Sequence, residues 1–149
     1  MSAPRVIGGA LLALVAGVLA WLVLQERALP DAPAPVAWDR VRCARCRMLV
    51  GEPAFAAQLH TRGGAVLHFD DPGCLLLHVH QQRPEIHRTW FHHLDEDRWI
   101  SGDAVRFVAA GPTPMGYGLG AADAGASPSL SQDAATERVL ERERRRRGH

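Results

Sequence analysis

The chain has 149 residues, enough for one domain with an appendage or two, and a formal net charge of +1. Every basic residue is an arginine and no basic patch is interleaved with aromatics, so composition makes no case for nucleic-acid binding. Three cysteines is an odd count, so at least one thiol is left unpaired within the chain or binds something.

Val6 to Leu24 is an uncharged apolar run. At helical rise it spans roughly 28 Å, the thickness of a hydrocarbon core and longer than the core of a signal peptide. Arg5 is the sole charge before it, while Glu26 and Arg27 after it cancel. The reading is a retained single-span anchor over residues 1–28, N-terminus in the cytoplasm and the remainder outside. The rival is a cleaved signal peptide, for which Ala32-Pro33-Ala34 is a poor site. Residues 29–37 are Pro/Ala-rich and read as a stiff, extended linker.

The domain proper is expected over 38–120. Phe55 to His60 and Ala65 to Phe69 read as two strands joined by Arg62-Gly63-Gly64, which supplies the positive φ of a tight hairpin. Asp70-Asp71-Pro72-Gly73 is a helix start with an aspartate N-cap and proline at the first helical position. Leu75, Leu76, Leu77 and Val79 give that helix an apolar side, and Pro84 closes it. Ile86 to Leu94 is rich in β-formers and reads as a third strand; Trp99-Ile100 re-enters the core, and Ala104 to Ala109 reads as a short helix. The expected class is α+β, a small antiparallel sheet covered by helices in a ββαβ unit, preceded by the transmembrane helix. Gly111 to Gly120 is too rich in Gly and Pro for regular structure, and 121–149 reads as a polar, basic tail. Within that tail Ala121 to Ser131 looks loosely packed. Gln132 to Arg147 suits a helix capped by Ser131 with Ala135, Val139 and Leu140 as a thin apolar stripe, ending in a solvated arginine run.

Chemistry concentrates in Cys43-Ala44-Arg45-Cys46-Arg47-Met48, which sets two thiols and a thioether within one short stretch. Thiolate and thioether are soft ligands that suit Cu(I), and thiolate also suits zinc. Three readings of the Cys43/Cys46 pair stand open, a redox couple, half of a zinc knuckle and part of a Cu(I) site, beside the plain one of a disulfide or an inert pair. On a strand, Cys46 and Met48 project to one face. Cys74 falls in the first turn of its helix, where the dipole lowers a thiol pKa, or else is a small buried apolar residue. Met115, between Pro114 and Gly116, is a thioether on a Gly/Pro loop and suits a soft metal or a core gap. His60 and His68 read as half-exposed strand residues, and Asp70-Asp71 as capping residues. No nucleophile triad, phosphate loop, dinucleotide fingerprint or HExxH is present, and nothing argues for an enzyme.

Cys46-Arg47-Met48-Leu49-Val50, Phe55-Ala56-Ala57-Gln58-Leu59, Phe69-Asp70-Asp71-Pro72-Gly73-Cys74-Leu75, Trp99-Ile100 and Thr113-Pro114-Met115-Gly116-Tyr117-Gly118 follow one another in an order that resembles the NosL family of nitrous oxide reductase accessory proteins. The likeness spans about Val41 to Gly120. It implies an extracytoplasmic Cu(I) carrier on the periplasmic side of the inner membrane. Its expected partners are nitrous oxide reductase or the membrane ABC transporter machinery that assembles its copper centres. It implies that Cys46 and Met48 match the family's Cys-x-Met and Met115 its Pro-Met-Gly. With Cys43 from spacing, the expected metal ligands are Cys46, Met48, Met115 and Cys43, and Cys74→Ser is expected to leave affinity nearly unchanged. The alternatives from other classes are a thiol redox protein or sensor using Cys43 and Cys46, and a structural zinc module. Three departures from the family stand out: a membrane-span candidate in place of a lipid-anchoring cysteine, Arg47 where the family has glycine, and an abbreviated second half after Gly120.

Overall fold

The structure, a computed structural model, describes residues 13–22 and 29–148. Residues 13–22 are helical and belong to a first unit, Met1–Pro30; Asp31–His149 forms a second. The rest of the expected Val6–Leu24 span lies outside the described residues, and among those described no helix is long and apolar enough to cross a membrane.

In the second unit, β1 (Ala57–Thr61), β2 (Val66–Phe69), β3 (Ile86–His92) and β4 (Trp99–Ser101) form one antiparallel sheet in the order β2-β1-β3-β4. Helix α1 (Pro72–Gln82) joins β2 to β3, the expected ββαβ order. β5 (Arg106–Ala109) and β6 (Leu119–Ala122) make a second, two-stranded sheet, and α2 (Gln132–Arg147) packs against α1. Alternation decides what faces the core. Ala57 and Leu59 of β1 point into it with Phe69, Leu75, Leu77 and Phe91, and Phe107 of β5 meets Phe91 edge-on at 5.1 Å.

The other face of β1 is covered too, by the Pro/Ala segment. Gln58 is fully buried there; its Nε2 donates to the Ala34 carbonyl at 2.7 Å and its Oε1 accepts from Ala34 N–H at 2.9 Å. A side-chain amide thus pairs with this backbone as a neighbouring strand would. From Asp31 onward the expected spacer is part of the compact unit, and His60 beneath it is buried rather than half-exposed.

Two other expectations are corrected. Ala104 to Ala109 is no helix: Val105 and Phe107 are buried while Arg106 between them is exposed, the period-two pattern of a strand. Ala121 and Ala122 are buried strand residues of β6 rather than loose chain, because β5 supplies their hydrogen-bonding partners in the register Phe107↔Ala121. The C-terminal helix is as expected, with Ser131 accepting from Ala134 N–H at 3.3 Å and Ala135 and Val139 fully buried.

Candidate metal centre

Three segments converge at the N-terminus of α1. The first is a short ribbon in which Arg42 bridges Leu49, Asp39 N–H donates to Val50 O at 3.0 Å and Cys43 N–H to Met48 O at 2.8 Å. Its turn holds Arg47 at φ +71°, so Cys46 to Met48 is not extended and the same-face expectation for Cys46 and Met48 does not apply. Ala44 N–H donates to His68 O at 2.8 Å, which pins the turn to the end of β2. The second segment is that strand end, Phe69-Asp70. The third is the first turn of α1, with Pro72 in the first turn and the Asp71 carboxylate accepting from Gly73 N–H at 2.8 Å as N-cap.

This convergence brings Cys43, Cys46, Asp70 and Cys74 together, with one ligand atom from each within 4.8 Å of all the others. Cys43 and Cys74 are fully buried and Cys46 half-buried; all three are free thiols. Asp70 accepts from Cys46 Sγ at 3.1 Å through Oδ1, while its Oδ2 is buried without a hydrogen-bond partner among the described residues. An orphaned buried carboxylate oxygen is costly, and a cation among the sulfurs would satisfy it. The thiols are already differentiated. A hydrogen bond from the Cys74 thiol lowers the Cys43 pKa to about 6 against the burial that opposes it. Holding that proton, together with burial, pushes Cys74 up, so here the neighbouring thiol outweighs the helix dipole. Burial raises Cys46 to about 12.

Met115 reaches the same region from the loop between β5 and β6. Asp71 Oδ2 accepts from Thr113 Oγ1 at 2.6 Å and from Met115 N–H at 3.1 Å, so one carboxylate caps α1 and holds the methionine loop over its end. Tyr117 lies so close to α1 that a Cβ on Gly73 would meet its ring at 2.4 Å. From the other side Arg146 of α2 donates to Met115 O at 2.7 Å and stacks over Tyr117 at 5.0 Å, and Arg142 donates to Gly116 O at 2.8 Å. Part of the terminal arginine run therefore holds the loop in place. Met115 and Cys46 line one open cavity of ≈ 440 Å³ together with Arg45, Tyr117, Glu143 and Arg146. Met48 is not among its lining residues and stands 46% exposed.

The structure thus groups Cys43 with Cys46, sets Met115 at a cavity shared with Cys46, and leaves Met48 outside the lining of that cavity. Asp70, expected as a capping residue, and Cys74, expected outside the ligand set, both lie beside Cys43 and Cys46. A signal for Asp70 was present: Pro72 at the first helical position makes Asp71 the cap, which leaves Asp70 with no capping role.

A second gathering of ligand-type groups, His93, Glu96 and Asp123, is built differently. Arg98 already bridges its carboxylates, with Nε at 2.7 Å from Glu96 and Nη2 at 2.5 Å from Asp123. His93 Nδ1 accepts from Asp95 N–H at 3.1 Å, so the ring proton sits on Nε2, the atom that faces the carboxylates at 3.7 and 3.8 Å. That nitrogen is a donor, and the cluster is a salt-bridge network.

Fold and site together define a small α+β domain with a buried, sulfur-rich, metal-type site at a helix N-terminus. No protein-family model and no curated sequence matches the chain. Its fold is shared with the crystal structure of the copper chaperone NosL from Shewanella denitrificans, at a TM-score of 0.52 and 19% identity, over 76% of this chain and 89% of that one.

Proposed function

We propose that this protein is a membrane-anchored, extracytoplasmic Cu(I)-binding chaperone, without turnover of its own, that serves the assembly of the copper centres of nitrous oxide reductase. The observation that carries the metal reading is the convergence of the Cys43, Cys46 and Cys74 sulfurs with Asp70 within 4.8 Å. Three sulfurs suit a soft monovalent ion, and the Met115 thioether at the mouth adds a donor useful to Cu(I) and of little use to zinc. The likeness of fold to a NosL copper chaperone supports copper as the cargo. Support for the anchor is the apolar run Val6 to Leu24, and support for the nitrous oxide reductase partner is the motif series shared with that family.

One observation favours a second reading, a structural zinc site. Three cysteines and one aspartate make the four-ligand count zinc takes in closed tetrahedral sites, and Asp70 is a hard donor that Cu(I) does not need. Competition decides between them. The reduced full-length protein should take Cu(I) from a Cu(I)-specific chelator stoichiometrically and release any bound Zn(II) as it does so. Stoichiometric zinc retention with no Cu(I) uptake would place the zinc module first.

A further inference from the structure

Among the described residues of the second unit, the large apolar side chains left exposed are Trp38, Met48 and Leu49, at 37%, 46% and 45%. All three sit on the ribbon that carries Cys43 and Cys46. Arg40, Arg42 and Arg47 are exposed on the same ribbon, and none has an ion pair among the described residues; Arg42 makes only a bond to the Arg47 carbonyl at 3.1 Å. Arg62, Arg83, Arg106, Arg138 and Arg144 are also exposed without an ion pair among the described residues, but the exposed large apolar side chains of this unit lie only on the ribbon. Arg45 of the ribbon, and Arg88, Arg98, Arg145 and Arg147 elsewhere, pair with a carboxylate. Exposed apolar side chains and unpaired arginines therefore coincide on one short segment.

We propose that the outer face of the 38–49 ribbon docks a partner protein through an apolar socket ringed by carboxylates; this rests on the chaperone reading. Trp, Met and Arg are the residue types enriched at the centres of protein interfaces, and Trp and Arg dominate their energetics. The guanidinium fork pairs carboxylates in a fixed plane, so unpaired arginines around an apolar centre specify a register as well as a sign of charge. Asp39 and Glu52 are exposed close by in the chain, and Asp95, Glu96 and Asp97 border Trp38 across a cavity, so the positive charge lies at the Arg42–Arg47 end of the ribbon. It selects matched carboxylates instead of attracting any polyanion. A bilayer with anionic headgroups would also suit tryptophan beside arginine. A protein is favoured because Cys46, the half-exposed thiol of the cluster, adjoins Arg47 and Met48, and an ion leaving through that thiol needs sulfur or nitrogen ligands to receive it.

The test places a photo-cross-linking residue at Leu49 in the full-length protein in its native membrane, with the same residue at exposed Ala134 of α2 as control. The expected product is one protein adduct specific to position 49, whose cross-linked peptide carries Asp or Glu. Its yield should fall about tenfold in Arg40→Glu/Arg42→Glu and recover when a carboxylate of that peptide is changed to lysine. Lipid adducts, equal adducts at position 134, a peptide without carboxylates, or no adduct would each overturn the proposal. Cu(I) affinity of the Arg40→Glu/Arg42→Glu protein, measured in parallel, should match the parent. A parent that binds no Cu(I) yet still forms the charge-dependent adduct would remove the metal reading and leave the docking face standing.

Discussion

At the N-terminus of α1, three thiols and a carboxylate present ligand atoms within 4.8 Å of one another; after β3, His93, Glu96 and Asp123 do the same. Spacing does not separate them. In the second cluster the positive charge is already supplied by Arg98, and the imidazole nitrogen facing inward carries its proton. In the first, among the described residues no cation pairs with Asp70, whose Oδ2 has no partner, and the thiols donate only to one another and to Asp70 Oδ1. A cluster of ligand-type residues binds metal when the fold brings the donors together and leaves the matching charge to come from outside.

Removing a donor from the first cluster is the most direct way to break this contrast. Cys74→Ser should weaken Cu(I) binding by more than about a hundredfold, beyond what loss of an outer partner costs, reversing the expectation that this thiol is a bystander; chelator competition measures it. Unchanged affinity would move the site out to Cys46 and Met115.

The support beneath the cluster is tested by Asp71→Ala. The change removes a helix cap and strands the Thr113 hydroxyl and the Met115 N–H, at a cost of about 3 kcal/mol in denaturant unfolding. A loss near that of an ordinary cap alone would mean the methionine loop does not depend on it.

Protonation sharpens the comparison further. Cys43 is held below its ordinary 9.0 at about 6, so its contribution to stability is present above pH 9 and is lost as pH falls through 6. The raised Cys46 and Cys74 act in the opposite sense but only above pH 9, outside that window. Metal-free reduced protein should therefore melt at progressively lower temperature from pH 9 to pH 6, and Cys43→Ser should flatten the slope. An equal slope in that variant would assign the effect to other groups.

Smaller again is Arg47→Gly. A non-glycine residue at φ +71° carries about 1 kcal/mol of strain, part of which is offset by the freer unfolded chain of glycine. A gain of about 0.5 kcal/mol in a thermal melt is expected, with Cu(I) affinity unchanged. The least effect belongs to Arg98→Ala in the second cluster. Taking away the cation leaves the proton on His93 Nε2, so equilibrium dialysis should show no stoichiometric Zn(II) retention. Tight zinc binding there would mean that Arg98 alone had closed the site.

The sequence by itself determined what local physics decides. Arg62-Gly63-Gly64 sets a hairpin, Asp71-Pro72 starts α1, Ser131 caps α2, and the Cys46-Arg47-Met48 and Pro114-Met115-Gly116 stretches point to soft-metal chemistry. Each is a short-range effect of backbone φ, capping or ligand type, readable within a few residues. Only the tertiary structure decided the rest. Ala121 and Ala122 became a strand because β5 was there to pair with them. The Pro/Ala segment became a cover because buried Gln58 had two hydrogen bonds to make with Ala34. Asp70 and Cys74 became candidate ligands because residues well separated from Cys43 in the chain fold onto it, with Ala44 anchored to His68. Contacts between distant segments leave no periodic mark in either one, since the partner that completes each lies outside any local window.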